Sequence, residues 1–346
     1  MRKRLLLASC LAALAIAGGC AVLADGGRGP SAPSVPVPLD AERPAVAHVG
    51  ALAFRGALEL SDDAVHGGLS GLWVSRDGGQ FLAVSDTGRS VLGRLSYDGR
   101  GHLAGVSDVT VRVLPLDDDP SYRGHRSDSE EIARMPDGSW LVSFERSHRI
   151  LRYAAGPDRP EGAPVRLPSP PGLEGAPPNG GVEAMTVLPD GRLFAIQEGE
   201  DDGIRERPAW IGQPPVASRA DWRRLTYRTA PRFRPTGAAA LPDGGVLVLE
   251  RRLSLLGGWA ARIVHVPPEA LRPGGIPGAV VEGVELARLE QPLLVDNFEG
   301  IAVRPGDAGE TLVYIVSDDN RSPLQRTYLA MFALPDSALR PSVARR

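Results

Sequence analysis

Carboxylates recur along this 346-residue chain in a fixed register, and their chemistry organises everything else. Glu130, Glu183 and Glu299 each stand six positions before a proline, at Pro136, Pro189 and Pro305. Ser70 and Thr236 hold the same place before Arg76 and Pro242. Each is followed by an apolar run, a turn and a second apolar run ending in an acid: Asp86, Glu145, Glu198, Glu250 and Asp318. A hairpin brings its first and last residues side by side at its open end. Glu130 then stands near Glu145, Glu183 near Glu198, Glu299 near Asp318, and Ser70 near Asp86. Carboxylates that close repel, and some protonate unless a cation sits among them. Hard oxygen donors in such number suit Ca²⁺, which takes about six to eight oxygens in flexible geometry. No histidine falls at an aligned position, which counts against zinc. The competing arrangement neutralises the acids with arginine, since Arg146, Arg251, Arg252 and Arg321 follow them closely.

Other chemistries find little support. The run Gly68-Leu69-Ser70-Gly71 lacks the spacing of a nucleophile elbow. Neither a lysine-bearing phosphate loop nor a His-Glu-x-x-His zinc motif occurs, and the Arg-His-Gly signature of histidine acid phosphatases is missing. Lys3 is the only lysine, so a mature chain without its N-terminus has no Schiff-base chemistry. His66, His125 and His148 lie near the repeat ends, as acid–base groups or as surface and packing residues. A net charge of −3 supplies no basic field for nucleic acid, which is not expected as a partner.

The elements that must position these acids follow from the spacing. The leading positions 70, 130, 183, 236 and 299 lie 60, 53, 53 and 63 residues apart. Three of the turns read Pro-Asp-Gly, at Pro136, Pro189 and Pro242, with Pro presetting the first turn residue and Gly taking a positive φ. Flanks such as Gly245-Val-Leu-Val-Leu249 and Leu312-Val-Tyr-Ile-Val316 are β-rich, so each unit is a hairpin. The period is that of a four-stranded propeller blade with generous loops, residues 109–113 and 262–266 serving as further strands. The expected fold is an all-β propeller of five or six blades, six favoured, the sixth assembled from residues 51–60 and 327–334 to close the ring. Two packed β-sandwiches would leave the near-constant period unexplained. With 41 glycines and 32 prolines the chain is also unsuited to a helical bundle. In a ring, the acid pairs converge at one mouth of the central channel.

The N-terminus reads as an export signal: Arg2, Lys3 and Arg4 precede an apolar run over 5–19 that is short for a membrane span. Ile16-Ala-Gly-Gly-Cys20 resembles a lipobox that would leave Cys20 lipidated as a membrane tether, while Val22 and Ala24 suit ordinary cleavage after residue 24. Residues 25–45, rich in Gly, Ser and Pro, read as a tether, and 46–340 as the propeller domain. Cys10 lies in the signal and Cys20 is lipidated or removed, so the folded part makes no disulfide. The expectation is an exported monomer, periplasmic, envelope-bound or extracellular.

Several runs carry a resemblance. Gly67-Gly-Leu-Ser-Gly-Leu72 with Val84-Ser-Asp86, Asp128-Ser-Glu130, Ser143-Phe-Glu145-Arg146 and Asn179-Gly-Gly-Val-Glu183-Ala resemble the phytase-like family called "esterase-like activity of phytase". So do Leu249-Glu250-Arg251 and the closing pair Asp296-Asn-Phe-Glu299-Gly with Val316-Ser-Asp318-Asp-Asn320. The resemblance implies a secreted propeller that hydrolyses phosphate or other esters of small molecules, its site made of acids. With the acid register it assigns Ca²⁺ to Glu130, Glu183, Glu299 and Asp318. Asp86, Glu145 and Glu198 complete ligation or act as general base, and Arg146 or Arg321 clamps an oxygen. Ser70, Asn179, Thr236, Glu250, Asn297 and Asn320 are expected to contact substrate. Two alternatives stand beside this: a non-catalytic, envelope-tethered binding module with structural Ca²⁺, and a calcium-propeller lactonase or carboxylesterase.

Overall fold

The computed structural model describes residues 34–61, 68–117, 127–156, 158–200, 203–272 and 275–339. The export signal, the lipobox, His66 and His125 lie outside them. Five antiparallel sheets follow one another along the chain. Blade one contains Leu69–Val74, Gln80–Ser85, Arg89–Tyr97 and Leu103–Val113. Blade two contains Ser129–Arg134, Trp140–Phe144, Arg149–Tyr153 and Val165–Arg166. Blade three is Val182–Val187, Leu193–Gln197, Glu206–Gly212 and Trp222–Arg228, extended by Val280–Glu282 running parallel to the last. Blade four is Arg234–Ala240, Val246–Ser254, Gly258–Val266 and Val284–Glu290.

Blade five draws on both ends of the chain. Asn297–Pro305, Thr311–Asp318 and Thr327–Leu334 are joined by Leu52–Leu60 and then by Ser34–Val37. The terminal strands thus close the ring as expected, but they complete the fifth blade and build no sixth. A repeat of two strands cannot bury both its faces alone, and the fifth hairpin takes its outer strands from wherever the chain supplies them. The N-terminal stretch read as a tether up to residue 45 is part of the fold from Ser34 on. Val35 and Val37 pair with Glu59 and Ala57, and Leu39 is buried.

The first strands of the five blades surround the axis, each in contact with the first strand of the next blade. Hydrophobic side chains on the blade faces meet in five layers, one between each adjacent pair of blades. Because both faces of a blade are covered, its second strand reads as a continuous apolar run, and Trp140–Phe144 is buried throughout. Trp73 and Trp140 meet edge to face across the layer between blades one and two, their ring centres 5.2 Å apart. The three Pro-Asp-Gly turns fold alike: Gly138, Gly191 and Gly244 have φ of 83°, 84° and 89°, and each amide bonds back to Met135, Leu188 or Leu241. This shared turn keeps the hairpins in register, and so keeps their open ends aligned at the opposite mouth.

Candidate functional site: an acid ring at one mouth of the channel

The first strand of every blade carries a β-bulge, always at the leading residue. The first strand gains one residue on the second between Leu69 and Leu72, Ser129 and Ile132, Val182 and Ala184, Pro235 and Gly237, and Phe298 and Gly300. Within these intervals sit Ser70, Glu130, Glu183, Thr236 and Glu299. An extra residue bends the strand and re-aims its side chain, which is how five similar hairpins deliver their leading groups to one place.

The second strand supplies the other half of the ring. The residues before the leading positions pair with Ser85, Phe144, Gln197, Glu250 and Ser317, so the ring positions are the next residues: Asp86, Glu145, Glu198, Arg251 and Asp318. Glu250 is therefore one position out of the ring. A shift of one residue along a strand turns a side chain to the other face. Glu250 is fully buried in the body, accepting bonds from Tyr227 Oη at 2.7 Å and Arg262 Nε at 2.6 Å. The residue that takes its place was legible: Glu130 to Glu145 and Glu183 to Glu198 span the same count across the same Pro-Asp-Gly turn, and that count from Thr236 ends on Arg251.

Arg251 braces the ring. Its Nη2 lies 3.2 Å from Glu198 Oε1 and its Nε 3.1 Å from Glu299 Oε2, linking blades three and five across blade four. Arg234 also reaches Glu198, at 3.3 Å. Burial works against the charge of Arg251, yet Glu299, Glu198, Glu183 and Asp318 together push its pKa upward.

The remaining acids crowd one another. Ser70 Oγ donates to Asp86 Oδ1 at 2.9 Å and lies 3.5 Å from Glu130 Oε2. Gly181 N–H donates to Glu145 Oε1 at 3.1 Å. Asn297 Nδ2 donates to Glu299 Oε1 at 2.8 Å and to Asp318 Oδ2 at 3.4 Å, while its Oδ1 is buried without a partner. Burial first, then the Asp128 charge, raises Asp86 to about 6 against the pull of the Ser70 hydroxyl. Burial and the neighbouring Glu198 raise Glu145 to about 7, and burial and Asp86 raise Asp318 to about 7. Glu130, Glu183 and Glu299 are pushed well above the usual carboxylate range, by burial and then by the other acids of the ring; for Glu299 the Arg251 charge opposes the rise.

Among the described residues, two groups of carboxylates could hold a metal ion: Asp86, Asp128 and Glu130, and Glu145, Glu183 and Glu198. Within each, one oxygen per residue lies within 4.8 Å of the others. The donor set is all hard oxygen, and the orphaned Asn297 Oδ1 adds one more beside Glu299 and Asp318, so the residues fit a hard divalent cation. Of the acids assigned to the metal, Glu130 and Glu183 each fall in one of these groups, while Glu299 and Asp318 are tied to Asn297, and Glu299 also to Arg251. Asp128 is the member of these groups that counting repeats does not find, because it precedes its strand.

The other expected contacts divide. Arg146 stands on the rim with Nε 2.6 Å from Asp128 Oδ2. Exposed Asn179 and Asn320 flank the mouth on their loops, the Asn320 amide donating to Asp318 Oδ1 at 2.6 Å. Thr236 donates its hydroxyl to the Phe298 carbonyl, 3.0 Å away, which ties blade four to blade five. Arg321 is not brought to the ring; it lines a separate cavity of about 500 Å³ with Glu59, Asp319 and Gln325.

Solved structures with related coordinates include three proteins of low identity. They are PQQ-bound aldose sugar dehydrogenase from Streptomyces coelicolor (14% identical, covering 88% of this chain and 99% of that one, TM-score 0.42), a gluconolactonase from Xanthomonas campestris (13%, 89% and 99%, 0.42) and endo-arabinase from Bacteroides thetaiotaomicron (11%, 77% and 94%, 0.45). No curated protein matches the sequence. The profile of the phytase-like family described as esterase-like activity of phytase matches residues 65–321, in the order of the acid-bearing hairpins, and the chain belongs to that family.

Proposed function

We propose that this protein is an exported, Ca²⁺-dependent hydrolase of phosphate esters working at the acid mouth of the propeller. The observation that carries the reading is the bulge register, which helps gather acids from three blades into two groups of cation-binding geometry. Asp86, Asp128 and Glu130 hold one position and Glu145, Glu183 and Glu198 the other. The ion, when bound, supplies a Lewis acid that neutralises substrate charge and acidifies a water. The chain does the rest. Glu145, steadied by the Gly181 amide, either completes ligation of the second position or, clear of the ion, serves as general base. Arg146, on the rim beside Asp128, meets a substrate oxygen where no lysine is available. Arg251 keeps Glu198 and Glu299 in place.

Turnover of a panel of phosphate mono- and diesters by purified protein, with Ca²⁺ and with chelator, tests the reading. Ca²⁺-dependent hydrolysis is expected; no turnover of any phosphate ester under every metal condition overturns it. Extending the panel to lactones and carboxylic esters separates the esterase alternative. One observation favours a second reading, a binding module with structural Ca²⁺: Glu183, Glu198 and Asp318 are buried, and Arg251 already braces the ring. That reading expects Ca²⁺ to raise the melting temperature with no reaction on any ester. Export is tested by cell fractionation, where full-length protein in the cytosol would overturn it.

A further inference from the structure

Besides Glu250, a second fully buried glutamate plays no part in the ring. The residue after each leading position is Gly71, Glu131, Ala184, Gly237 or Gly300: four small residues and one glutamate. The three glycines are small because other atoms stand where a side chain would go. A Cβ on Gly300 would lie 2.3 Å from the Ser70 carbonyl oxygen, one on Gly237 2.8 Å from that of Glu299, and one on Gly71 2.6 Å from Glu131 Oε1 itself. The fully buried Glu131 side chain fills the room they leave at the axis. Ile132 N–H donates to its Oε1 at 2.9 Å and Ala238 N–H to its Oε2 at 3.2 Å. The amides of Met185 and Leu72 act with them to lower its pKa, while burial outweighs all four and pushes the carboxyl well above the usual range. Among the described residues no arginine pairs with it.

These donors share an origin. Leu72, Ile132, Met185 and Ala238 each stand two places after a leading residue, just past the bulge, in blades one to four. The first strand of a blade is the edge of its sheet, so the amides it turns to the axis have no strand to bond. We propose that the propeller axis is an anion seat built from backbone amides, and that Glu131, its tethered occupant, is the positioning residue that fixes four of the five bulges and so the spacing of the cation-binding acids. The inference rests on the ring being a cation site. A cavity of about 200 Å³ in the opposite mouth, lined by Leu72, Ile132, Ala238 and Ile301 among others, gives small solutes a way to the same place.

Chemical rescue tests it. Glu131→Ala empties the seat and leaves the amides, so formate should fill it. The melting temperature of the variant should fall by several degrees and its Ca²⁺ affinity by tenfold or more. Millimolar formate should restore both, formamide neither, and formate should leave the wild type unmoved. Glu131→Gln keeps the volume but turns an NH₂ toward donors, so it should lose Ca²⁺ affinity without rescue. A Gln variant as stable and as tight for Ca²⁺ as wild type overturns the proposal, as does an Ala variant whose Ca²⁺ affinity is unchanged or whose defect ignores formate. If Glu131→Ala does not fold, refolding with and without formate replaces the melt, and recovery only with formate supports the seat. Should wild type itself bind no Ca²⁺, the ring reading fails and the positioning role with it, while formate rescue of stability still decides whether the anion seat exists.

Discussion

Arg251 is the residue on which the balance of the mouth turns. It is the single cation in a ring position, and its guanidinium is nearly buried between Glu198 and Glu299. Removing one member of a buried pair leaves its partner charged and dry, at about 3–5 kcal/mol. Arg251→Ala in chelator should lose stability on that scale by denaturant titration, and Ca²⁺ should recover a larger share in the variant than it adds to wild type. The acids carry a pH dependence of definite sign. Asp86, Glu145 and Asp318 have folded pKa values raised to about 6 and 7, above their unfolded values near 4. Their folded-state contribution is intact below pH ~4 and is lost as pH climbs through 6 and 7. In chelator the melting temperature should therefore decline from pH 4 to 7, and saturating Ca²⁺ should reverse the trend; a flat profile without Ca²⁺ would show that the acids are not crowded as described. At this scale the sequence was legible where the count to the turn is constant. It misled at Glu250, where an acid one step out of register drew attention from Arg251, and it gave no sign of Glu131, which adjoins a leading acid but belongs to the axis.

The element that matters most is the bulge. Hairpins alone would place the leading residues near the mouth, but alternate pleating decides which way they point, and the extra residue decides the pleating. Gly300→Ala tests this, because its Cβ would press on the Ser70 carbonyl of blade one, and backbone there cannot rotate away. A cost of about 1–3 kcal/mol is expected, with weaker Ca²⁺ binding. Gly99→Ala, in open space, serves as the control and should leave both within error. Turn chemistry and apolar alternation made the hairpins readable from residues alone. The bulges were not, since pairing across strands depends on backbone geometry that local composition leaves open; the only trace is the column of small residues at 71, 184, 237 and 300.

At the scale of the whole molecule, the ring is closed by strand pairing between the two ends of the chain. Leu52–Leu60 pairs with Thr327–Leu334, Leu60 opposite Thr327. Deleting residues through Val37 removes an outer strand only and should leave a folded, soluble protein. Deleting through Leu60 uncovers the edge of Thr327–Leu334, and soluble yield with size-exclusion profiles should show aggregation. The closure was legible from its β-rich ends. So was the range of five or six blades, since five leading residues account for five; a sixth was favoured only because the terminal strands were counted as a blade of their own. Closure also sets an order in time. Leu52–Leu60 leaves the ribosome early and waits for its partner until the last strand is made, a long-range pairing that forms slowly. Until then blade five is incomplete, and Glu299, Asp318 and the Asn297 between them have no settled place. A completed mouth is thus a mark of finished synthesis: a chain broken off before its final strand holds every acid of the ring, yet not the ring.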